Sequence, residues 1–207
     1  MATYSSSLAT LFPLLVLAFV VSSQCAPEEV HDITGKNLIS GVDYYILPAA
    51  GARGGGLTLG PRRPSPYSYC PLDVIQEEFE DRNGAAVTFL PVNPKKQTIR
   101  VSTDLNIKSD TGTTCDETTV WKLDFFDKES RQYFVTTGGS EGNPGPVTLS
   151  NWFKIEKFDY DYKLSYCPSV CKFCKVICKD IGIYLDDNGV RRLALSKTPF
   201  KIMFKKA

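Results

Sequence analysis

The stretch Ile183–Leu195 reads IYLDDNGVRRLAL and carries the strongest local fold signal in the chain. Two apolar runs, Ile183–Leu185 and Leu193–Leu195, flank Asp187-Asn188-Gly189. Asn-Gly tolerates the positive φ angles of a type I′ turn, and such a turn joins two antiparallel strands. The stretch therefore predicts a β-hairpin.

The same pattern of a short apolar run between turn residues recurs along the chain. Trp121, Leu123 and Phe125 alternate with polar residues, which places them on one face of a strand. The predicted strands are Asp43–Leu47, Leu57–Leu59, Val87–Leu90, Ile99–Val101, Leu105–Ile107, Val120–Phe126, Tyr133–Thr137, Trp152–Phe158, Tyr162–Tyr166, Ile181–Leu185, Arg192–Leu195 and Phe200–Phe204. Twelve short strands separated by Gly, Pro, Asn and Asp predict an all-β barrel or sandwich.

Three pairs of apolar runs resemble one another, although the distances along the chain between the copies are uneven. They are Tyr45–Leu47 with Leu57–Leu59, Tyr133–Val135 with Val147–Leu149, and Ile183–Leu185 with Leu193–Leu195. Three copies suit a three-fold barrel with four strands in each unit.

Composition excludes several classes of function. The chain has 207 residues and a formal net charge of +1. Nucleic acid is therefore not an expected partner, because phosphate contacts need clustered positive charge. His31 is the single histidine, which disfavours a Ser/His/Asp triad and a histidine-rich metal site. We find no G-x-S-x-G, H-E-x-x-H or P-loop motif, and we predict no enzyme activity, metal or cofactor.

The N-terminal residues predict a secretory signal peptide. Leu11–Val21 is a run of 11 apolar residues, too short for a membrane span and typical of a signal-peptide core. We predict a signal peptide over residues 1–25, or 1–26 with cleavage after Ala26, and a single domain over 26–207. Because the n-region lacks Lys and Arg, an N-terminal strand or anchor is the alternative. No second apolar stretch approaches membrane length, so no membrane partner is expected.

Removal of the signal peptide takes Cys25 and leaves six of the seven cysteines. An even number in a secreted chain predicts three disulfides, for which 15 pairings exist. The close spacing of Cys167, Cys171, Cys174 and Cys178 favours nested pairs. A four-thiolate zinc site is the alternative, although zinc sites usually hold two close pairs apart by a longer loop.

One polar segment, Leu90–Thr98, is a candidate binding loop. Pro91 and Pro94 precede Lys95 and Lys96, and proline favours extended backbone before it. The segment predicts an extended loop that presents Lys95. A trypsin-like S1 pocket holds a buried Asp that pairs with Lys or Arg.

Several long motifs resemble the Kunitz-type soybean trypsin inhibitor family. Those shared with the family as a whole are Asp32–Gly35, Gly41–Leu47 and Cys70–Val74. Those similar to its miraculin-like branch are Thr137–Gly145, Trp152–Glu156, Tyr166–Cys174, Asp180–Tyr184 and Arg191–Leu195. The resemblance covers nearly the whole mature chain.

The resemblance implies a β-trefoil of twelve strands with pseudo-three-fold symmetry. It implies three disulfides, Cys70–Cys115, Cys167–Cys178 and Cys171–Cys174, and a secreted plant protein, extracellular or vacuolar. The extra cysteine that joins two chains in one member of that branch is missing near Lys157–Asp161, so a monomer is expected.

The resemblance also implies a serine-protease inhibitor that binds in substrate fashion and serves in defence. Ungapped alignment places the residue that enters the S1 pocket at Lys95, within a loop of Asn93, Pro94, Lys95, Lys96 and Gln97. Inhibitory members support this loop with an asparagine, and Ser40 occupies that position here.

Two other functions stay open. Ser40 and the adjacent Lys95-Lys96 pair favour a non-inhibitory stress, storage or defence protein that retains the scaffold. A glycan-binding trefoil is a further alternative, because one fold hosts many functions.

Overall fold

The computed structural model describes residues 26–63 and 69–207. The predicted signal peptide, residues 1–25, lies outside these ranges. Within them, no helix is long and apolar enough to cross a membrane. The strands are β1 (Asp43–Pro48), β2 (Leu57–Gly60), β3 (Asp73–Gln76), β4 (Val87–Pro91), β5 (Leu105–Ser109), β6 (Lys122–Leu123), β7 (Val135–Thr136), β8 (Lys154–Phe158), β9 (Asp161–Tyr166), β10 (Lys179–Leu185), β11 (Arg191–Ser196) and β12 (Ile202–Lys206). Leu149–Asn151 form a short 3₁₀ helix.

Six of the strands close a barrel. Strand β1 pairs with β4 and β12, β4 pairs with β5, and β9 pairs with β8 and β12, all antiparallel. The circle closes between β5 and β8, where Leu105 and Phe153 exchange two backbone hydrogen bonds of 2.9 Å. A closed barrel leaves no unpaired sheet edge among its strands.

The other six strands form three hairpins that cap the barrel. They are β2–β3, β6–β7 and β10–β11. Strand β3 also pairs with β7 and β11, and a bridge between Phe134 and Ala194 links the last two hairpins. Each run of four strands thus contributes two barrel strands and one cap hairpin. This arrangement is the β-trefoil, which confirms the predicted fold and its pseudo-three-fold symmetry.

Apolar residues at alternate positions of the barrel strands fill its interior. The pairs are Tyr44 and Ile46, Val87 and Phe89, Leu105 and Ile107, Phe153 and Ile155, Tyr162 and Leu164, and Ile202 and Phe204, all buried. The rings of Phe89 and Phe204 meet edge to face, with centroids 5.4 Å apart. The period-2 alternation in the sequence is therefore the pattern that builds the core.

The hairpin predicted at Ile183–Leu195 is present, with Ile183 opposite Leu193. The predicted turn type is wrong. Gly189 has a positive φ of 80°, whereas Asn188 is not among the residues with positive φ. A type I′ turn needs positive φ at both central residues. The Asp186 carboxylate instead accepts hydrogen bonds from the backbone of Asn188 and Val190, which favours a longer turn.

Three strand predictions also differ from the structure. Asp73–Gln76 form β3, which the sequence did not predict because a charged and a polar residue hold two of its three buried positions. Ile99–Val101 form no strand. Arg100 makes an isolated bridge with Glu29, and the preceding Thr98 makes one with Ile39, so each neighbouring segment pairs at a single position. Val147–Leu149 lie in a turn that leads into the 3₁₀ helix, with Val147 exposed, so the middle copy of the internal repeat is wrong.

Three disulfides join Cys70 to Cys115, Cys167 to Cys178, and Cys171 to Cys174. These are the pairs that the family resemblance implies. The four clustered cysteines are all oxidised, so the zinc alternative is wrong.

Reduction of the disulfides should lower the melting temperature. Cys70–Cys115 closes a loop of 45 residues, and chain entropy assigns such a bond about 4 kcal/mol. Calorimetry with and without a thiol reductant measures the change. The double variant Cys171→Ser/Cys174→Ser is the control, because a separation of 3 residues is worth less than half as much. Equal melting temperatures with and without reductant would contradict the prediction.

Candidate functional site

The candidate loop is the β4–β5 connection, which projects from one end of the barrel. Its base is closed by a hydrogen bond of 2.8 Å from the Val92 amide to the Asp104 carbonyl. The five predicted residues, Asn93, Pro94, Lys95, Lys96 and Gln97, are all exposed. The barrel therefore presents this segment to solvent as one continuous stretch of chain.

The loop tip is a β-turn and not the extended segment predicted from its prolines. The Lys96 amide donates to the Asn93 carbonyl at 3.0 Å, and the Lys95 amide donates to the Asn93 side-chain oxygen at 3.1 Å. Pro94 occupies the second turn position, where its fixed φ is favourable. The sequence signal for this turn was the Asn93-Pro94 pair, since Asn before Pro favours turn initiation.

Ser40 contacts the loop through its backbone. Its amide donates to the Gln97 carbonyl at 2.6 Å. Among the side-chain hydrogen bonds of residues 26–63 and 69–207, none involves the Ser40 hydroxyl. A cavity of about 330 Å³ lies between Ser40 and the loop, lined also by Val92, Pro94 and Trp152. The Ser40 side chain thus leaves the turn unsupported on this side.

The second half of the loop is held firmly. We call Thr98–Val101 the C-terminal limb. The Ile99 amide donates to the Leu38 carbonyl at 2.9 Å, and the Val30 amide donates to the Ile99 carbonyl at 3.0 Å. The Val101 amide donates to the Glu28 carbonyl at 2.9 Å. Two neighbouring segments therefore hydrogen-bond the C-terminal limb, one on each side.

Asp104 anchors the base of the loop, a role that the sequence did not reveal. Its carboxylate accepts hydrogen bonds from the backbone amide of Ser169, at 3.1 and 3.2 Å, and from the Ser169 hydroxyl. Lys154 lies 3.8 Å from the same carboxylate. Ser169 is 65 residues away in the chain, so no local pattern predicts this contact.

The two lysines of the turn carry free charge. Within the described ranges, neither Lys95 nor Lys96 has an acidic partner at ion-pair distance. A lysine offers an apolar stem and a strongly hydrated ammonium group that donates three hydrogen bonds. Chemically, the tip can enter a deep pocket that ends in a carboxylate.

A sequence profile described as trypsin and protease inhibitor, Kunitz_legume, matches residues 30–206. The protein belongs to this Kunitz family. This is a family of protease inhibitors and not of enzymes, so the partners that its inhibitory members imply are proteases. The match spans the whole trefoil and the loop between β4 and β5.

Two curated relatives and one solved structure show how close this Kunitz chain is to other members. Kunitz trypsin inhibitor 5 of Arabidopsis thaliana is 49% identical over 206 residues, covering 98% of this chain and 99% of the relative. Miraculin of Synsepalum dulcificum is 48% identical over 189 residues, covering 89% and 86%. The Kunitz-type cysteine protease inhibitor from potato superposes with a TM-score of 0.75 at 32% identity, covering 88% and 98%.

Proposed function

We propose that this Kunitz-family protein inhibits trypsin-like serine proteases and that Lys95 is the residue that enters the S1 pocket. The observation that carries the proposal is an exposed lysine without an ion-pair partner in residues 26–63 and 69–207, at the tip of a barrel loop. The ammonium group would pair with the buried aspartate of a trypsin-like pocket. The scissile bond would be Lys95–Lys96.

Binding in substrate fashion would require the turn to open. The turn is fixed by two hydrogen bonds, from the Lys96 amide to the Asn93 carbonyl and from the Lys95 amide to the Asn93 side-chain oxygen, and each such bond is worth about 0.5–1.5 kcal/mol. Protease–inhibitor complexes bury about 1,600 Å² and include some of the tightest known, so their binding free energy exceeds this cost. The free energy needed to open the turn is therefore small enough to permit tight binding.

The disulfide framework supports inhibition after cleavage. The ring closed by Cys70–Cys115 contains Lys95. A cut after Lys95 would leave both parts covalently joined and in register, so the peptide bond could re-form in the protease. Three disulfides also suit an oxidising compartment, and we propose a secreted monomer, extracellular or vacuolar, with a defence role.

A non-inhibitory scaffold protein is the second candidate. The cavity beside Ser40 and the closed Asn93–Lys96 turn favour it, because both leave the tip without a rigid substrate-like shape. A loop without that shape is cleaved as an ordinary substrate.

Titration of trypsin with the mature protein tests the proposal. We expect activity on a small amide substrate to fall linearly to zero near one equivalent of inhibitor. Papain, titrated in parallel, is the control for a different protease class. Cleavage after Lys95 without inhibition would favour the scaffold protein. If trypsin is not inhibited and the chain is not cleaved, Lys95 is excluded as an anchor for trypsin.

A further inference from the structure

A single carboxylate, that of Glu29, connects the three segments that meet at the C-terminal limb. Its Oε1 accepts a hydrogen bond of 2.6 Å from Arg100 Nη2, and its Oε2 accepts one from the Asn37 side chain. Arg100 Nη1 also donates to the Pro27 carbonyl at 2.6 Å. Glu29 and Arg100 are both about one-third exposed, at 33% and 31%. Water screens such a pair only in part.

The turn at the loop tip, Asn93–Lys96, is bordered by two cavities. One cavity of about 280 Å³ opens between Pro27, Asn93 and Lys96, and the cavity beside Ser40 lies against Pro94. The turn is therefore open on two sides. Its position relative to the barrel depends on the hydrogen bond between Val92 and Asp104 at the base, on the hydrogen bond from Ser40 to Gln97, and on the C-terminal limb, which continues directly from Gln97.

We propose that Glu29 is a positioning residue of the inhibitory loop. It fixes Arg100 and, through it, the C-terminal limb, so that the leaving half of a cut Lys95–Lys96 bond stays in place. This inference rests on the proposed function. A loop that loses this restraint pays more conformational entropy on binding and is cleaved faster.

The variant Glu29→Gln tests the role with little change in shape. The single amide oxygen can accept from Asn37 or from Arg100 but not from both, and the charge that pairs with Arg100 is lost. Glu28→Gln is the matched control, because Glu28 is the adjacent residue and its carboxylate pairs with Lys157 on β8, at 3.0 Å, instead of with the loop. Both variants change the net charge equally.

We expect Glu29→Gln to weaken trypsin inhibition and to speed cleavage after Lys95 by about tenfold each, the effect of one charged hydrogen bond. Glu28→Gln should stay within about twofold of the wild type. On an Arg100→Gln background, Glu29→Gln should add nothing further. Equal effects of the two glutamate variants, or no effect of Glu29→Gln, would overturn the proposal.

Amide hydrogen exchange separates this proposal from the proposed function. If Glu29 positions the C-terminal limb, Glu29→Gln accelerates exchange at Ile99 and Val101 and leaves Ile107 in the barrel unchanged. This result is expected whether or not trypsin is inhibited. Unchanged exchange at Ile99 and Val101 would overturn the role of Glu29, while a wild-type protein that fails to inhibit trypsin would overturn only the proposed function.

Discussion

Replacement of Lys95 by alanine is expected to raise the dissociation constant of the trypsin complex by about a thousandfold. The substitution removes the ammonium group and the apolar stem that would fill the S1 pocket, and it leaves the aspartate of the protease buried without a partner. Truncation of one member of such a pair costs about 2–5 kcal/mol, and about 4 kcal/mol corresponds to a thousandfold change. Inhibition assays at several enzyme concentrations measure the constant.

Lys96→Ala is the matched control for this prediction. Lys96 is also exposed, carries the same charge and is the next residue in the chain. Because its side chain would lie at the rim of the interface, its removal should weaken binding by less than about tenfold. A larger loss of affinity from Lys96→Ala than from Lys95→Ala would identify Lys96 as the residue that enters the S1 pocket. Unchanged binding by both variants would exclude this loop as the inhibitory site.

The fold could be predicted from the sequence because the barrel depends on local alternation. Buried apolar residues such as Phe89, Ile107 and Phe204 alternate with other residues along their strands. Strand β3 was missed for the opposite reason. Its first residue, Asp73, is charged and completely buried, and its partners come from distant parts of the chain.

The sequence predicts which loop is the candidate site but not which residues support that loop. Lys95 was predicted from the prolines that precede it and from the family resemblance, and the Asn93-Pro94 pair contained the signal for the turn. Glu29 and Arg100 are 71 residues apart, and neither belongs to a motif. Contacts of this kind are set by the order of the strands in the barrel, which a local pattern does not contain.

Asp73 is the centre of a buried ionic network beneath the cap hairpins. Its carboxylate lies 2.8 Å from Arg192 Nη1 and accepts a hydrogen bond of 3.1 Å from the Arg63 amide. Arg192 also binds Asp186 at 2.6 Å, and Arg63 binds Asp124 at 2.7 Å. Burial raises the pKa of Asp73, an effect that Arg63 and Arg192 oppose. The buried carboxylate is therefore stabilised by the two arginines, and the buried charge of each arginine is stabilised by the carboxylate.

Asp73→Ala is expected to lower the free energy of unfolding by about 3 kcal/mol, the lower end of the range for breaking a buried ion pair, because Arg192 Nη1 loses its carboxylate while Arg192 Nε keeps Asp186. Urea unfolding with intact disulfides measures the change. Asp187→Ala is the control, since Asp187 is an exposed residue of the β10–β11 turn and surface changes stay within about 0.5 kcal/mol. A loss below about 1 kcal/mol for Asp73→Ala would contradict the prediction.

The double variant Asp73→Leu/Arg192→Met identifies the source of that loss. Arg192 is 3% exposed, so we expect the cost of the single change to come from a buried charge that has lost one of its two carboxylates. Replacing both charges with apolar groups of similar volume removes the buried Arg192 charge and is often neutral. Asp186 loses Arg192 in this variant but keeps its hydrogen bonds from the backbone amides of Asn188 and Val190. The double variant should therefore be more stable than Asp73→Ala, although it lacks both ions. If it is less stable, the network holds the cap together by attraction between its charges.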